Sequence, residues 1–118
     1  RQLLWHDLST FYPGSKPWLI GGDFNTISKP SKKCGGRPYS NKSMDHFNSF
    51  IANSILLEIS FLGDQYTWGN NNAGPKRICL RLDRLLSNLV GSLAFLNLKV
   101  VHKPIILSDH CPIVAISP

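Results

Sequence analysis

Apolar and polar positions follow two periods along this chain, and their alternation predicts a mixed set of helices and strands. Leu4, Leu8 and Phe11 recur at helical spacing, so Gln2 to Tyr12 reads as an amphipathic helix stopped by Pro13-Gly14. After the connector Lys16-Pro17, Trp18 to Gly22 reads as a short buried strand. Thr26 to Lys42 is rich in Ser, Pro, Gly and Lys and reads as a long surface loop. Ser43 is the expected cap of the next helix, with Asp45 in its first turn. Phe47, Phe50, Ile51 and Ile55 form its buried stripe, and the helix is expected to end near Ser54.

Ile55 to Phe61 then reads as a short strand around Glu58, Leu62 to Gln65 as a turn, and Tyr66 to Gly69 as a strand entering the Asn70 to Pro75 loop. From Ile78 to Leu86, Ile78, Leu80 and Leu82 alternate with Cys79, Arg81 and Asp83, which predicts one strand with Asp83 opposite the apolar face. Asn88 is placed to cap a short helix through Phe95. Leu98 to Val101 is a further strand ended by Pro104, and Cys111 to Ile116 is a last buried strand entered through Ser108-Asp109-His110. Hairpin-like and helix-separated connections both occur, so the fold class is α/β or α+β with sheets that need covering.

Length and charge narrow the classes. The 118 residues suffice for one ordinary domain, and 42% hydrophobic content excludes a disordered chain. No apolar stretch approaches the ~20 residues that cross a bilayer, and the start lacks a basic-then-apolar leader, so no membrane partner is expected. The first residue is Arg1 rather than methionine, which fits a piece of a longer product. A net charge of +6 favours a polyanionic partner. Lys29, Lys32, Lys33, Arg37 and Lys42 concentrate in one loop, either a solvated surface or a contact for phosphates. The cysteines, Cys34, Cys79 and Cys111, are three and scattered, which argues against a disulfide framework or a zinc site and fits packing roles in a reducing compartment.

Three stretches carry polar residues at strand ends: Gly22-Asp23-Phe24-Asn25, Arg81-Leu82-Asp83-Arg84 and Ser108-Asp109-His110. In an extended segment Asp23 and Asn25 would project to one side and converge on one point. Taken singly, each stretch has a plainer reading. Asp23 and Asn25 could belong to an ordinary turn, Asp83 could be neutralised by Arg81 or Arg84, and His110 could be a satisfied structural histidine.

Taken together and in order, with Tyr66-Thr67-Trp68 between them, the motifs resemble the endonuclease/exonuclease/phosphatase superfamily. The likeness is to the endonuclease domains of plant LINE-type (non-LTR) retrotransposons. It is carried by Pro17 to Asn25, Gly35-Gly36-Arg37-Pro38, Tyr66-Thr67-Trp68 with the following asparagines, Arg81 to Arg84, and Ser108 to Pro112. The resemblance implies the C-terminal part of a four-layer α/β sandwich, two facing mixed sheets with helices outside, over residues 1–118. Members carry an earlier half with a metal-binding glutamate. Arg1 to Gly22 has no glutamate and Glu58 lies on an apolar segment, so the N-terminal half is expected to be absent.

By resemblance, Asp23 orients or deprotonates the attacking water, and Asn25 holds that water and a phosphate oxygen. His110 contacts a non-bridging phosphate oxygen with Asp83 on its other ring nitrogen, and Asp109 helps bind Mg²⁺, with Mn²⁺ as an alternative. Asp83 and Asp109 are interchangeable on sequence alone. The implied reaction is metal-assisted hydrolysis of a DNA phosphodiester, which in a retroelement primes reverse transcription. DNA, the missing N-terminal half and a downstream reverse transcriptase are the implied partners, and the implied location is intracellular and nuclear. Expected DNA contacts are Lys32, Lys33, Arg37, Trp68, Lys76 and Arg77, although core packing is the plainer role for Trp68. Two alternatives stand beside this reading: a non-catalytic, nucleic-acid-binding remnant, and a small-phosphoester phosphatase of the same superfamily. Leu82 stands where those phosphatases usually carry tryptophan or cysteine, which sides with the nucleases.

Overall fold

The computed structural model describes residues 2–10, 15–72, 74–104 and 109–116. The expected helix end at Phe11 and Tyr12, its Pro13-Gly14 stop, and Ser108 of the last motif lie outside these residues. The described chain mixes helices with three small three-stranded sheets. Helix α1 (Gln2–Thr10) precedes strand β1 (Leu19–Asp23). Strand β1 pairs antiparallel with the central β7 (Asp83–Ser87), whose other flank holds β3 (Leu57–Glu58). The second sheet joins β2 (Lys33–Cys34), β6 (Cys79–Leu80) and β5 (Trp68–Gly69). In the third, β8 (Lys99–His102) runs parallel to β4 (Phe61–Leu62) and antiparallel to β9 (Ile113–Ile116).

Two apolar clusters hold these pieces. Helix α2 (Asn41–Asn53) brings Phe47 and Phe50 against Trp5 of α1 and against Phe24, Leu56 and Leu86 around the first sheet. Trp5 contacts Phe47 and Phe50 with ring centroids 5.1 and 5.2 Å apart. Ile27, Met44 and Leu82 form the second cluster, joined by Tyr39, Trp68 and Leu80. Gly21, Gly22 and Leu85 of the first sheet and Val100, Ile113 and Ala115 of the third line an apolar cleft of about 300 Å³. No helix among the described residues is long and apolar enough to cross a membrane.

Several elements differ from the sequence reading. Strand β1 is an edge strand, so Leu19 is exposed and Ile20 only half-buried, where a buried strand was expected. Helix α2 starts earlier: Ser40 is its cap and accepts the Ser43 N–H, which leaves no acid in the first turn. Ile55 lies beyond the helix and is 70% exposed, while Met44 takes the buried place. The Thr26 to Lys42 stretch is not all surface loop, because Thr26 and Ile27 are fully buried and Lys33–Cys34 is a strand. Residues 55–61 form two strands in different sheets, and residues 78–86 break between β6 and β7. That break lets Arg81 and Leu82 both be buried, which one two-faced strand forbids. Strand β9 is largely exposed rather than buried, and so is Cys34, unlike Cys79 and Cys111. The capped helix after Asn88 is present as α3 (Leu89–Ala94), with the Asn88 side chain accepting the Gly91 N–H at 2.7 Å.

Glu58 is the counterion of a buried arginine pair. Arg81 and Arg84 are 4% and 3% exposed, and one Glu58 carboxylate serves both, 3.0 Å from Arg81 Nη2 and 3.2 Å from Arg84 Nε. Arg84 also donates to the carbonyls of Thr26 and Arg81 and lies 4.7 Å over the Phe47 ring. Burial pushes its guanidinium down to about 10 against the pull of Glu58. These arginines hold Glu58, whereas Asp83 is ion-paired with His110.

Candidate active site

Two carboxylates meet first. Asp23 closes β1 and faces Asp83, the first residue of β7, across the antiparallel ladder. The neighbouring pair carries the ladder hydrogen bond, Phe24 N–H to Leu82 C=O at 2.9 Å. Alternation therefore makes Asp23–Asp83 a non-hydrogen-bonded pair, the closer kind, with Cα atoms about 4.5 Å apart and side chains on one face. Like charges placed so destabilise a sheet unless something neutralises them.

His110 supplies that neutralisation. Its Nδ1 lies 2.8 Å from Asp83 Oδ2, and its Nε2 lies 3.7 Å from Asp23 Oδ2. Burial opposes a charged ring and is the largest single influence. The Asp83 hydrogen bond and the charges of Asp83, Asp23 and Asp109 together outweigh it, so His110 titrates above its ordinary value. Asp83 is the most sheltered of the three, with 13% of its side chain exposed against 31% for Asp23 and 32% for His110.

The segment that leads into β5 brings these parts together. Its backbone pairs with the segment before β9: Cys111 N–H donates to Thr67 C=O at 2.7 Å, and Gly69 N–H donates to Asp109 C=O at 3.0 Å. The fully buried Thr67 Oγ1 accepts from Leu82 N–H and Asp83 N–H, both at 3.0 Å. One residue thus fixes both partners of the Asp83–His110 bond. Its neighbour fixes Asp109, because Trp68 Nε1–H donates to Asp109 Oδ2 at 3.0 Å. Nothing local in Tyr66-Thr67-Trp68 marks the Thr67 hydroxyl as an acceptor for distant backbone.

Asn25 touches Asp23 through its backbone. Its backbone is left-handed, with φ of 54°, so the segment turns instead of extending both side chains to one side. Asparagine tolerates that conformation better than most residues. Asp23 Oδ1 accepts the Asn25 N–H at 2.7 Å and Tyr39 Oη–H donates to the Asn25 C=O at 3.1 Å, which pins the turn and orients the Asp23 carboxylate.

Asp23, Asp83 and His110 offer ligand atoms that all lie within 4.8 Å of one another, and this group could hold a metal ion. Two carboxylates fit a hard divalent cation, and the imidazole is one further donor. Asp109 lies within electrostatic reach of His110.

Of the residues expected to touch nucleic acid, Lys33 and Trp68 flank Leu80 in the second sheet. Lys32 is half-buried near Arg81 and Glu58, and burial followed by the Arg81 charge lowers its pKa. Lys33 Nζ donates to the Gly35 carbonyl, while Arg37 and Lys76 are exposed. Arg77 is exposed, with Nε donating to Cys79 Sγ at 3.2 Å. Trp68 is half-buried against the second cluster, and with Tyr66, Asn70 and Arg77 it lines a cavity of about 260 Å³. No family model, curated protein or solved structure matches the chain.

Proposed function

We propose that the chain is the C-terminal part of an endonuclease/exonuclease/phosphatase-type four-layer sandwich, and that it handles the phosphate in Mg²⁺-dependent hydrolysis of DNA phosphodiesters. One observation carries the reading. A histidine held at Nδ1 by a sheltered carboxylate directs Nε2 to within 3.7 Å of a second carboxylate. The three residues come from parts of the chain far apart in sequence.

Asp23, its Oδ1 engaged by the Asn25 N–H, orients a water through its other oxygen and takes the proton that water gives up. His110, whose charged form its carboxylate neighbours favour, donates from Nε2 to a non-bridging phosphate oxygen and offsets charge developing there. Asp83 fixes the ring so that Nε2 faces Asp23. Asp23, Asp83 or Asp109 would hold the cation, whose chemistry is neutralisation of phosphate and leaving-oxygen charge. The metal-binding glutamate of this class comes from outside the chain, because Glu58 is committed to Arg81 and Arg84. The exposed Leu19, Leu57, Leu62, Val114 and Ile116 support a first half that covers apolar strands. In this reading the nick primes reverse transcription by a downstream enzyme.

The test is nicking of supercoiled plasmid in Mg²⁺, by the chain and by the reading frame that contains it. Nicking that Asp23→Ala and His110→Ala abolish supports the proposal. Nicking undiminished in both variants refutes it, and none from either wild-type protein selects the non-catalytic remnant.

A further inference from the structure

We propose that Cys34 and Cys79 are a redox-active pair that closes into a cross-strand disulfide when the protein meets a hydroperoxide. The two stand directly opposite each other in the antiparallel β2–β6 ladder, so their side chains leave the same face. The Arg81 N–H donates to the Lys32 C=O at 3.0 Å, which marks residues 32 and 81 as a hydrogen-bonded pair. Two residues further along, alternation makes Cys34–Cys79 a pair of the same kind. Such pairs hold their Cα atoms about 5.5 Å apart, inside the disulfide range of roughly 4.4–6.8 Å, and their Cβ atoms must draw in by about 1 Å for the bond to close.

The surroundings suit the chemistry. Both thiols are free, Cys34 is exposed and Cys79 is 5% exposed. On its other flank Cys79 faces Gly69, where a side chain would begin 4.0 Å from the sulfur, so that side is uncrowded. Arg77 Nε donates to Cys79 Sγ at 3.2 Å, so the sulfur has a cationic partner at the surface. Both sulfurs lie within electrostatic reach of Tyr66 and Arg77. Cys111 is a bystander: it is buried against the Tyr66 carbonyl, and burial pushes its thiol up.

The Cys34 thiolate attacks one peroxide oxygen. The O–O bond breaks, the second oxygen leaves as water after taking a proton, and Cys34 becomes a sulfenic acid. The Cys79 thiolate then attacks the Cys34 sulfur, the S–O bond breaks and the hydroxyl leaves as a second water. Two thiols lose two electrons in all, and the peroxide gains them. The new bond ties β2 to β6. The inference is independent of the catalytic reading.

The test treats folded protein with equimolar hydrogen peroxide, alkylates the remaining thiols under denaturing conditions, and maps peptides without reduction. The expected result is a Cys34–Cys79 peptide that dithiothreitol separates, unchanged in Cys111→Ser. In Cys34→Ser, an exposed and mild substitution, Cys79 is expected to remain fully alkylatable. Cys34 driven to sulfinic acid or to Cys34-linked dimers while Cys79 stays a thiol would overturn the proposal, as would a link to Cys111.

Discussion

Thr67→Val keeps the shape of the side chain and removes the oxygen that accepts from both Leu82 N–H and Asp83 N–H. Thr67 is 0% exposed and Leu82 is 8% exposed, so little water reaches the abandoned donors. A buried donor left unsatisfied costs about 1–3 kcal/mol. The two here share one acceptor, so the total is expected below twice that figure, at roughly 2–4 kcal/mol. Domains of this size have only about 5–15 kcal/mol of stability in hand. Thr67→Ser retains the oxygen and deletes one methyl, worth about 1 kcal/mol. Urea unfolding should therefore show a clearly lower midpoint for valine than for serine, with the slope unchanged. A second readout separates site from scaffold. NMR titration of His110 should return toward the ordinary histidine value in Thr67→Val, as Asp83 drifts from the ring, and stay raised in Thr67→Ser. Serine costing as much as valine, or valine costing under about 1 kcal/mol, would refute the reasoning.

Glu58→Gln leaves two buried guanidiniums without their carboxylate; discounted for the 29% exposure of Glu58, the expected loss is about 2–4 kcal/mol, read by urea unfolding. Asn88→Ala removes the α3 cap and the side-chain bonds to Trp18 N–H and Lys16 C=O, with an expected loss of about 1–3 kcal/mol in the same assay. His110 titrates above its ordinary 6.5 when folded, so its contribution to stability is complete below that pH and fades as pH rises through the folded value. Unfolding free energies measured across neutral pH should decline in wild type and lose that component in Asp83→Asn.

Elements set by local periodicity were legible. The Phe47 and Phe50 stripe, the Asn88 cap, the strand before Asp23 and the turn at Gly63 needed only neighbours in sequence. Features set by distant pairing were not. Ser40 rather than Ser43 caps α2, although both are serines ahead of a polar turn. The 78–86 run reads as one alternating strand, yet two sheets divide it, because Arg81 finds Glu58 on one side while Leu82 joins Ile27 and Met44 on the other. For the candidate site, sequence placed Asp23, Asp83 and His110 at strand ends, and the ladder register explains why the two carboxylates converge. It could not foresee the left-handed turn at Asn25 or the hydroxyl of Thr67 beneath Asp83.

The central claim is that the Asp23 and Asp83 carboxylates hold one cation beside His110, and paramagnetic broadening by Mn²⁺ tests it most directly. Trace Mn²⁺ added to labelled protein should first broaden the resonances of Asp23, Asp83 and His110, with Mg²⁺ competing. The effect should vanish in Asp23→Asn. Broadening that begins instead at Asp7, Asp45 or Asp64 and survives that substitution would contradict the account.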